Sequence, residues 1–348
     1  MKAFPYLFLI LFIISCQKPD NTEIKNQVSN SDPWLIPKDD VLNFNSEKDR
    51  IQSIDYPEFI PINESNLKPN DLVLVAHIGD ETKIYPISVL DAHEVVNDII
   101  NDDYFSVTYC PLTGSGMLWN REIDGKVTEF GVSGMLYNEN LMPYDRNTES
   151  IWSQMETKCV NGSLIGIVPE TKALLETKFS TIKTAFPEAI VLAQHDCDSN
   201  ICERTGFLKT DPIDGETVTL PADQQYFGFV KNEKLLLFNH ALFSEGTQLF
   251  RTNFQGSSLL VCGNNSLHFF TAFLNNGQSK NYTFSVVQNA FPIIMEDDNG
   301  NKYNVFGEVI EGPGKGSRLE TATAYNARTF AWELFFDEIE LFTNVTSN

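Results

Sequence analysis

The sequence predicts an α+β fold of mainly short antiparallel strands, in two related halves that each carry one or two packed helices. Three observations lead there. Apolar and polar residues alternate over short runs closed by Gly, Asn, Asp or Pro, the pattern of strands and hairpins. Two stretches instead space their apolar residues at helical intervals. The order of motifs in residues 33–195 then recurs, in degenerate form, in residues 225–343.

The elements follow in order. "DLVLVAHIGDETKIYPI" reads as two strands about a Gly79-Asp80 turn. "SVLDAHEVVNDII" predicts a helix, with Ser88 as its N-cap and Val89, Leu90, Val95, Val96 and Ile99 at helical spacing. "YFSVTYC", "GMLWNREI", "KVTEFGVS" and "NLMPYDRN" read as short strands, and Asp124-Gly125 is a strong hairpin signal. "ETKALLETKFSTIKTAF" predicts a second helix that stops at Pro187, and "AIVLA" a strand. In the second half "QYFGFVKNEKLLLFNHALF" mirrors "LVLVAHIGDETKIYPISVL", and "SSLLVCGNNSLHFFTAF" mirrors "FSVTYCPLTGSGMLW", which matches Cys262 to Cys110. Residues 196–224, rich in Asp, Pro and Gly, are the natural connector. The second copy lacks the polar equipment of the first, so any chemistry is expected in residues 33–195.

The N-terminus reads "MKAFPYLFLILFIISCQKPD". The apolar block from Phe4 to Ile14 is shorter than the ~20 residues a bilayer span needs, and it has the length of a signal-peptide core. It ends in "IISC", which resembles the bacterial lipoprotein signal. Residues 1–15 are then the signal peptide, and Cys16 becomes the lipidated N-terminus. An ordinary secretory signal with an incidental cysteine is the alternative. Residues 16–32 carry the anchor and a polar tether without aromatics. The membrane, reached through Cys16, is thus one expected partner. Gln17 is not an aspartate, which by analogy with proteobacterial lipoproteins points to the outer membrane of the cell envelope. A net charge of −22 argues against nucleic acid and anionic headgroups as partners. The 26 phenylalanines argue for a substantial core.

The chain has six cysteines, and the five beyond Cys16 leave at least one unpaired within the chain. Cys197 and Cys202, in "HDCDSNICER", suit a small disulfide loop, or a metal site with His195 and Asp196.

The stretch "YCPLTGSG", residues 109–116, sets the main functional question. Cys110 ends a strand, and Pro111 fixes the exit of the chain. Gly114 and Gly116 permit positive φ, so that N–H groups can converge as an anion nest beside the hydroxyls of Thr113 and Ser115. Such donors lower a thiol pKa and favour the thiolate. Cys-Pro-Leu-Thr has thioredoxin-like spacing with a hydroxyl in the second place. The alternative is a buried cysteine packing as a small apolar group. On the predicted helix, His93 and Glu94 precede the Cys110 strand, and Asn97 shares the His93 face. His93 is then a base toward the thiol, or a metal ligand together with Cys110. A helix-surface pair with a capping Asn accounts for the same residues. The cofactor expected on this reading is a soft transition metal. No Walker loop, Rossmann glycine pattern, His-Glu-x-x-His or Gly-x-Ser-x-Gly is present.

"YPISVLDAHEVVND", "VTYCPLTGSG", "FGVSGMLYNENLMPYDRNTESIWSQ" and "GPGKGSRLE" together resemble a bacterial family catalogued as domain of unknown function 3179. The resemblance covers most of the chain beyond the tether and supplies no function. Many members carry a second cysteine where this chain has Thr113, and some are catalogued as possible selenoproteins, which implies redox or metal chemistry at this loop. Thr113 places a two-cysteine mechanism in doubt here. Ser133, Asn138, Tyr144, Asp145, Arg146, Ser150, Trp152 and Gln154 match the family motif and are candidate ligand-binding residues with Asn97 and Ser115. Asp145 and Arg146 suit a structural ion pair. The sharper reading has Arg146 clamping an anion against a Trp152 wall. The methionines 117, 135, 142 and 155 in this half suit core packing or a soft metal.

Three functions remain open: a thiol-redox or metal-dependent enzyme centred on Cys110 with His93 and Glu94, a lipid-anchored binder of a small ligand or metal, and a structural envelope lipoprotein.

Overall fold

Strands are set by alternation and closed by tight turns. The strand Leu72–Ile78 is buried on both faces, with Val73 and Val75 in one core and Leu74 and Ala76 in another, which is why "LVLVA" is a continuous apolar run. It pairs with Glu81–Pro86 across the two-residue Gly79-Asp80 turn. Asp124-Gly125 closes a hairpin in which Ile123 faces Lys126, and both turn residues have positive φ.

The computed structural model describes residues 33–43, 47–193, 221 and 223–343. The signal peptide, Cys16, the tether, His195, Asp196, Cys197, Cys202 and most of the connector lie outside the described residues. The chain from Pro33 onward forms one of two compact units, and all that follows concerns that unit.

The fold is predominantly β, not α+β: strand makes up 48% and helix 13%. Among the described residues the α-helices are α1 (Ile87–His93), α2 (Phe179–Ala185) and α3 (Thr329–Phe335), of seven residues each, too short to form a layer. The predicted helix over 88–100 stops at His93. Glu94 adopts the left-handed conformation, its N–H closes on Leu90, and Val95–Ile100 continues as a strand. Val95 and Val96 are both buried because they face different cores, and that adjacency imitates helical spacing. Ser88 caps nothing; the N-cap position is Pro86. In the second predicted helix only Phe179–Ala185 is helical, and Thr171–Lys172 and Leu175–Lys178 are strands.

Among the described residues, six sheets of four or five strands and the two-stranded Asp124-Gly125 hairpin carry the fold, and the strand orders of the six correspond between the halves. In the first half, the hairpin Leu72–Ile78/Glu81–Pro86 is flanked by Leu175–Lys178 antiparallel and Ile190–Leu192 parallel. In the second, Gln225–Lys231/Lys234–Asn239 is flanked by Ala324–Arg328 antiparallel and Ile339–Leu341 parallel. The meander Val95–Ile100, Asp103–Cys110, Ser115–Asn120 corresponds to Gln248–Phe254, Ser257–Asn264, Phe269–Leu274. A further sheet of each half closes the set.

The cores interlock the halves. One face of the first hairpin, with Val73, Val75 and Ile84, packs on Leu260, Cys262 and Phe273 of the second half. One face of the second, with Tyr226, Leu235 and Leu237, packs with Trp332 on Cys110, Met117, Trp119 and Trp152 of the first. The opposite faces pack within their own halves. Trp119, Trp152 and Trp332 are fully buried. Exposing any of them would cost on the order of 4–6 kcal/mol at about 25 cal/mol per Å². Two of the cores are thus shared between the halves, and each half also has a core of its own.

Candidate functional site

Cys110 ends its strand and faces Ser115 across the hairpin. Gly114 closes the turn at φ +62, with its N–H on the Cys110 carbonyl. The register places Asn264, opposite Phe269, at the position equivalent to Cys110; Cys262 sits two residues earlier and does not match it. The Cys110 thiol is buried and donates to the Glu139 carbonyl at 3.6 Å. Burial pushes this thiol above its ordinary range, against the lowering effect of Thr113, and nearby Glu94 pushes the same way. The turn therefore does not hold a ready thiolate.

The hydroxyls beside it belong to a closed network. Thr113 and Ser115 share a hydrogen bond of 2.8 Å, and Ser115 donates to Gln154 Oε1 at 2.9 Å. Asn140 Nδ2 donates to Gln154 Oε1 at 2.8 Å and to Thr113 Oγ1 at 3.0 Å. Gln154 Nε2 donates to Thr108 Oγ1 and the Ser115 carbonyl. All five side chains are buried. Each amide has its partners inside the protein, so the network specifies the core rather than waiting for a ligand. Asn140 lies within the quoted 130–154 stretch but is not among the site residues read from it.

His93 and Asn97 do not share a helix face, since His93 ends α1 and Asn97 lies in the next strand. His93 Nδ1 engages the Gln52 carbonyl at 2.8 Å. Asn97 bonds both the N–H and the C=O of Phe130, and Asp55. Glu94 is buried, and its carbonyl accepts from the Tyr109 N–H. Among the described residues no three His, Cys, Asp or Glu side chains converge as a metal-binding group.

The 133–154 motif is also absorbed internally. Asp145 does not pair with Arg146: it turns inward, accepting from Thr148 and from Trp152 Nε1 at 3.2 Å. Arg146 turns outward to Asp55 at 2.6 Å, Glu129 at 3.1 Å and Asp49 at 3.3 Å. Burial lowers its pKa, but Asp55, Tyr144 and Asp49 outweigh that and hold it above the ordinary value. Tyr144 donates to Asp49. With three carboxylates around it, the Arg146 guanidinium is already engaged within the protein. Ser133 bonds the Met142 carbonyl, Asn138 the Leu334 carbonyl, and Ser150 the Thr148 hydroxyl and Leu164 N–H. Trp152 is a core side chain among Trp119 and Phe130. Met117 and Met155 share that core, and Met135 and Met142 sit around Tyr144.

An open cleft, which no sequence pattern marked, lies on the other face of the same strand. Tyr109 alternates with Cys110 and lines it, together with Leu72, Ile87 and Gly114 of the first half and Gln225, His240 and Arg328 of the second. Its volume is about 490 Å³. The Arg328 N–H donates to the Thr113 carbonyl at 2.8 Å, which locks the wall in place. Burial raises the Tyr109 phenol well above its ordinary pKa, so it is a protonated donor. Burial lowers His240 to about 4, and its ring stacks on Phe270 with centroids 3.9 Å apart. Partial burial raises the Asp91 carboxyl, and the charge of Arg328 opposes that rise. A concave site with perturbed titratable groups is a candidate binding site. The signal available in the sequence was the alternation itself, which put Tyr109 on the face opposite Cys110.

No curated protein and no solved structure matches the chain. A family described as protein of unknown function, DUF3179, matches residues 48–339, and the chain belongs to that family.

Proposed function

We propose that this protein is a lipid-anchored envelope protein that binds a small molecule in the cleft between its two halves, without turnover. One observation supports this most: polar groups from both halves converge on open space at Tyr109, Gln225, His240 and Arg328. The thiol reading has less support, because Cys110 points into the core and burial keeps it protonated. The anchor at Cys16 would hold the cleft at the envelope membrane.

The test is ligand-observed NMR on the whole chain in detergent, with a library of neutral, anionic and cationic fragments. Gln225→Trp puts a bulky side chain into the cleft lining. Fragments that bind the wild type and are lost in this variant support the reading. A library with no fragment lost in Gln225→Trp sinks it. The anchor is tested separately, since Cys16→Ser should end membrane retention.

A further inference from the structure

The correspondence of the two halves allows the cleft to be compared with its counterpart in the same molecule. Strand register makes Leu72 equivalent to Gln225, Ile87 to His240, Glu176 to Asn326, and Lys178 to Arg328. The two hairpin turns make Gly114 equivalent to His268, and both take the left-handed conformation.

At the second-half turn the groups satisfy one another. His268 Nε2 meets Glu176 Oε1 at 2.8 Å, and Lys178 Nζ donates to the Ser266 carbonyl at 2.7 Å. At the first-half turn the imidazole is replaced by Gly114 and the carboxylate by Asn326, while the cation is kept as Arg328. Asn326 is taken up by His240 at 3.1 Å. Among the described residues, the carboxylate within ion-pair distance of Arg328 is Asp223, at 3.8 Å and with a side chain 93% exposed. A β-carbon on Gly114 would lie 3.8 Å from Arg328 Nε and 2.9 Å from Gln225 Nε2, so the glycine keeps the space before these donors open.

We infer that the cleft takes a small organic monocarboxylate, its carboxylate held by the Arg328 guanidinium and its apolar part against Leu72 and Ile87. The inference rests on the reading of the cleft as a ligand site. A guanidinium presents two parallel N–H donors that match a carboxylate. The Gln225 amide and the Tyr109 hydroxyl add neutral donors. His240 contributes no second positive charge at neutral pH. The Asp223 carboxylate, 3.8 Å from Arg328 and in the cleft lining, offsets part of the guanidinium charge and so disfavours a dianion such as phosphate.

The probes are hexanoate, its neutral isostere hexanamide, and inorganic phosphate, titrated calorimetrically into the whole chain in detergent. Hexanoate should bind saturably, hexanamide about tenfold more weakly or worse, and phosphate more weakly than hexanoate. Arg328→Gln should lose hexanoate binding by about tenfold or more, and Arg328→Lys should lose less. An unchanged melting temperature in Arg328→Gln separates lost binding from lost folding. Should that variant unfold, the hexanoate to hexanamide ratio on the wild type decides alone. Equal binding of acid and amide, stronger binding of phosphate, or absent hexanoate binding overturns the carboxylate assignment. If neutral fragments still vanish in Gln225→Trp, the cleft reading survives that outcome.

Discussion

The main-chain N–H of Arg328 bonds the carbonyl of Thr113 at 2.8 Å, so the second-half strand that carries the guanidinium is pinned to the first-half turn that carries Cys110. The same turn thus serves two faces. Inward, it seats a buried thiol and a saturated hydroxyl network. Outward, it forms one wall of the cleft. The consequences can be measured separately.

The thiol of Cys110 should be inert in the folded protein. Iodoacetamide labelling, assigned by mass spectrometry, should be slow at neutral pH and reach the rate of Cys262 only on unfolding, since burial holds both thiols protonated. Fast labelling of Cys110 below the ordinary thiol pKa would reverse this conclusion and restore the redox reading.

Breaking the amide network should cost stability without touching the cleft. Gln154→Ala leaves Asn140, Ser115 and Thr108 short of partners in a buried place, a loss of roughly 1–3 kcal/mol. A urea titration should show it, and Asn140→Ala added to Gln154→Ala should cost less than the sum of the two. Additive losses would mean that the network is not a unit.

Arg146 should act as a brace for three acids. Arg146→Met leaves Asp49, Asp55 and Glu129 facing one another, with a predicted loss on the order of 2 kcal/mol in denaturant melts. Arg146→Lys should recover only part of it, because one ammonium cannot repeat the fork. Ligand binding at the cleft should be unchanged in both.

Two groups predict separate steps of acid destabilisation. His240 is held at about 4 against an ordinary 6.5, so below 6.5 the unfolded chain binds a proton that the folded chain refuses. Stability should fall from about pH 6.5 toward 4, and His240→Phe should flatten that limb. Glu308 is held at about 2 against an ordinary 4.5, its partial burial outweighed by His77, Asn304 and Arg318. Its contribution is present above 4.5 and lost as pH falls toward 2; Glu308→Gln should remove that second limb. Stability measured by denaturant midpoint at each pH checks both, and unchanged limbs in the variants would contradict the assignment.

Much of the backbone was legible from residues alone. The Asp124-Gly125 and Gly79-Asp80 hairpins follow from turn chemistry, and "LVLVA" and "IVL" follow from short apolar runs that include Val and Ile. Helix assignment failed at Val95-Val96, where a strand buried on both faces copies the spacing of a helix. Conspicuous polar residues misled in the same way. Asp145 next to Arg146 reads as a pair, but one turns inward to Trp152 and the other outward to Asp55.

The sequence by itself determined many of the strands and turns, the parallel order of motifs in the two halves and the family, because these depend on local chemistry and motif order, whereas the strands Val95–Ile100, Thr171–Lys172 and Leu175–Lys178 read as helix. Only the tertiary structure decided where chemistry is possible. Whether a thiol is reactive or an arginine is free depends on what packs around it, and those neighbours are distant in the chain: Asp49 and Asp55 engage Arg146, and residues of the second half close over Cys110. Tyr226 and Trp332 share the core that holds Cys110, and Gln225, His240 and Arg328 complete a cleft that Tyr109 could not form alone.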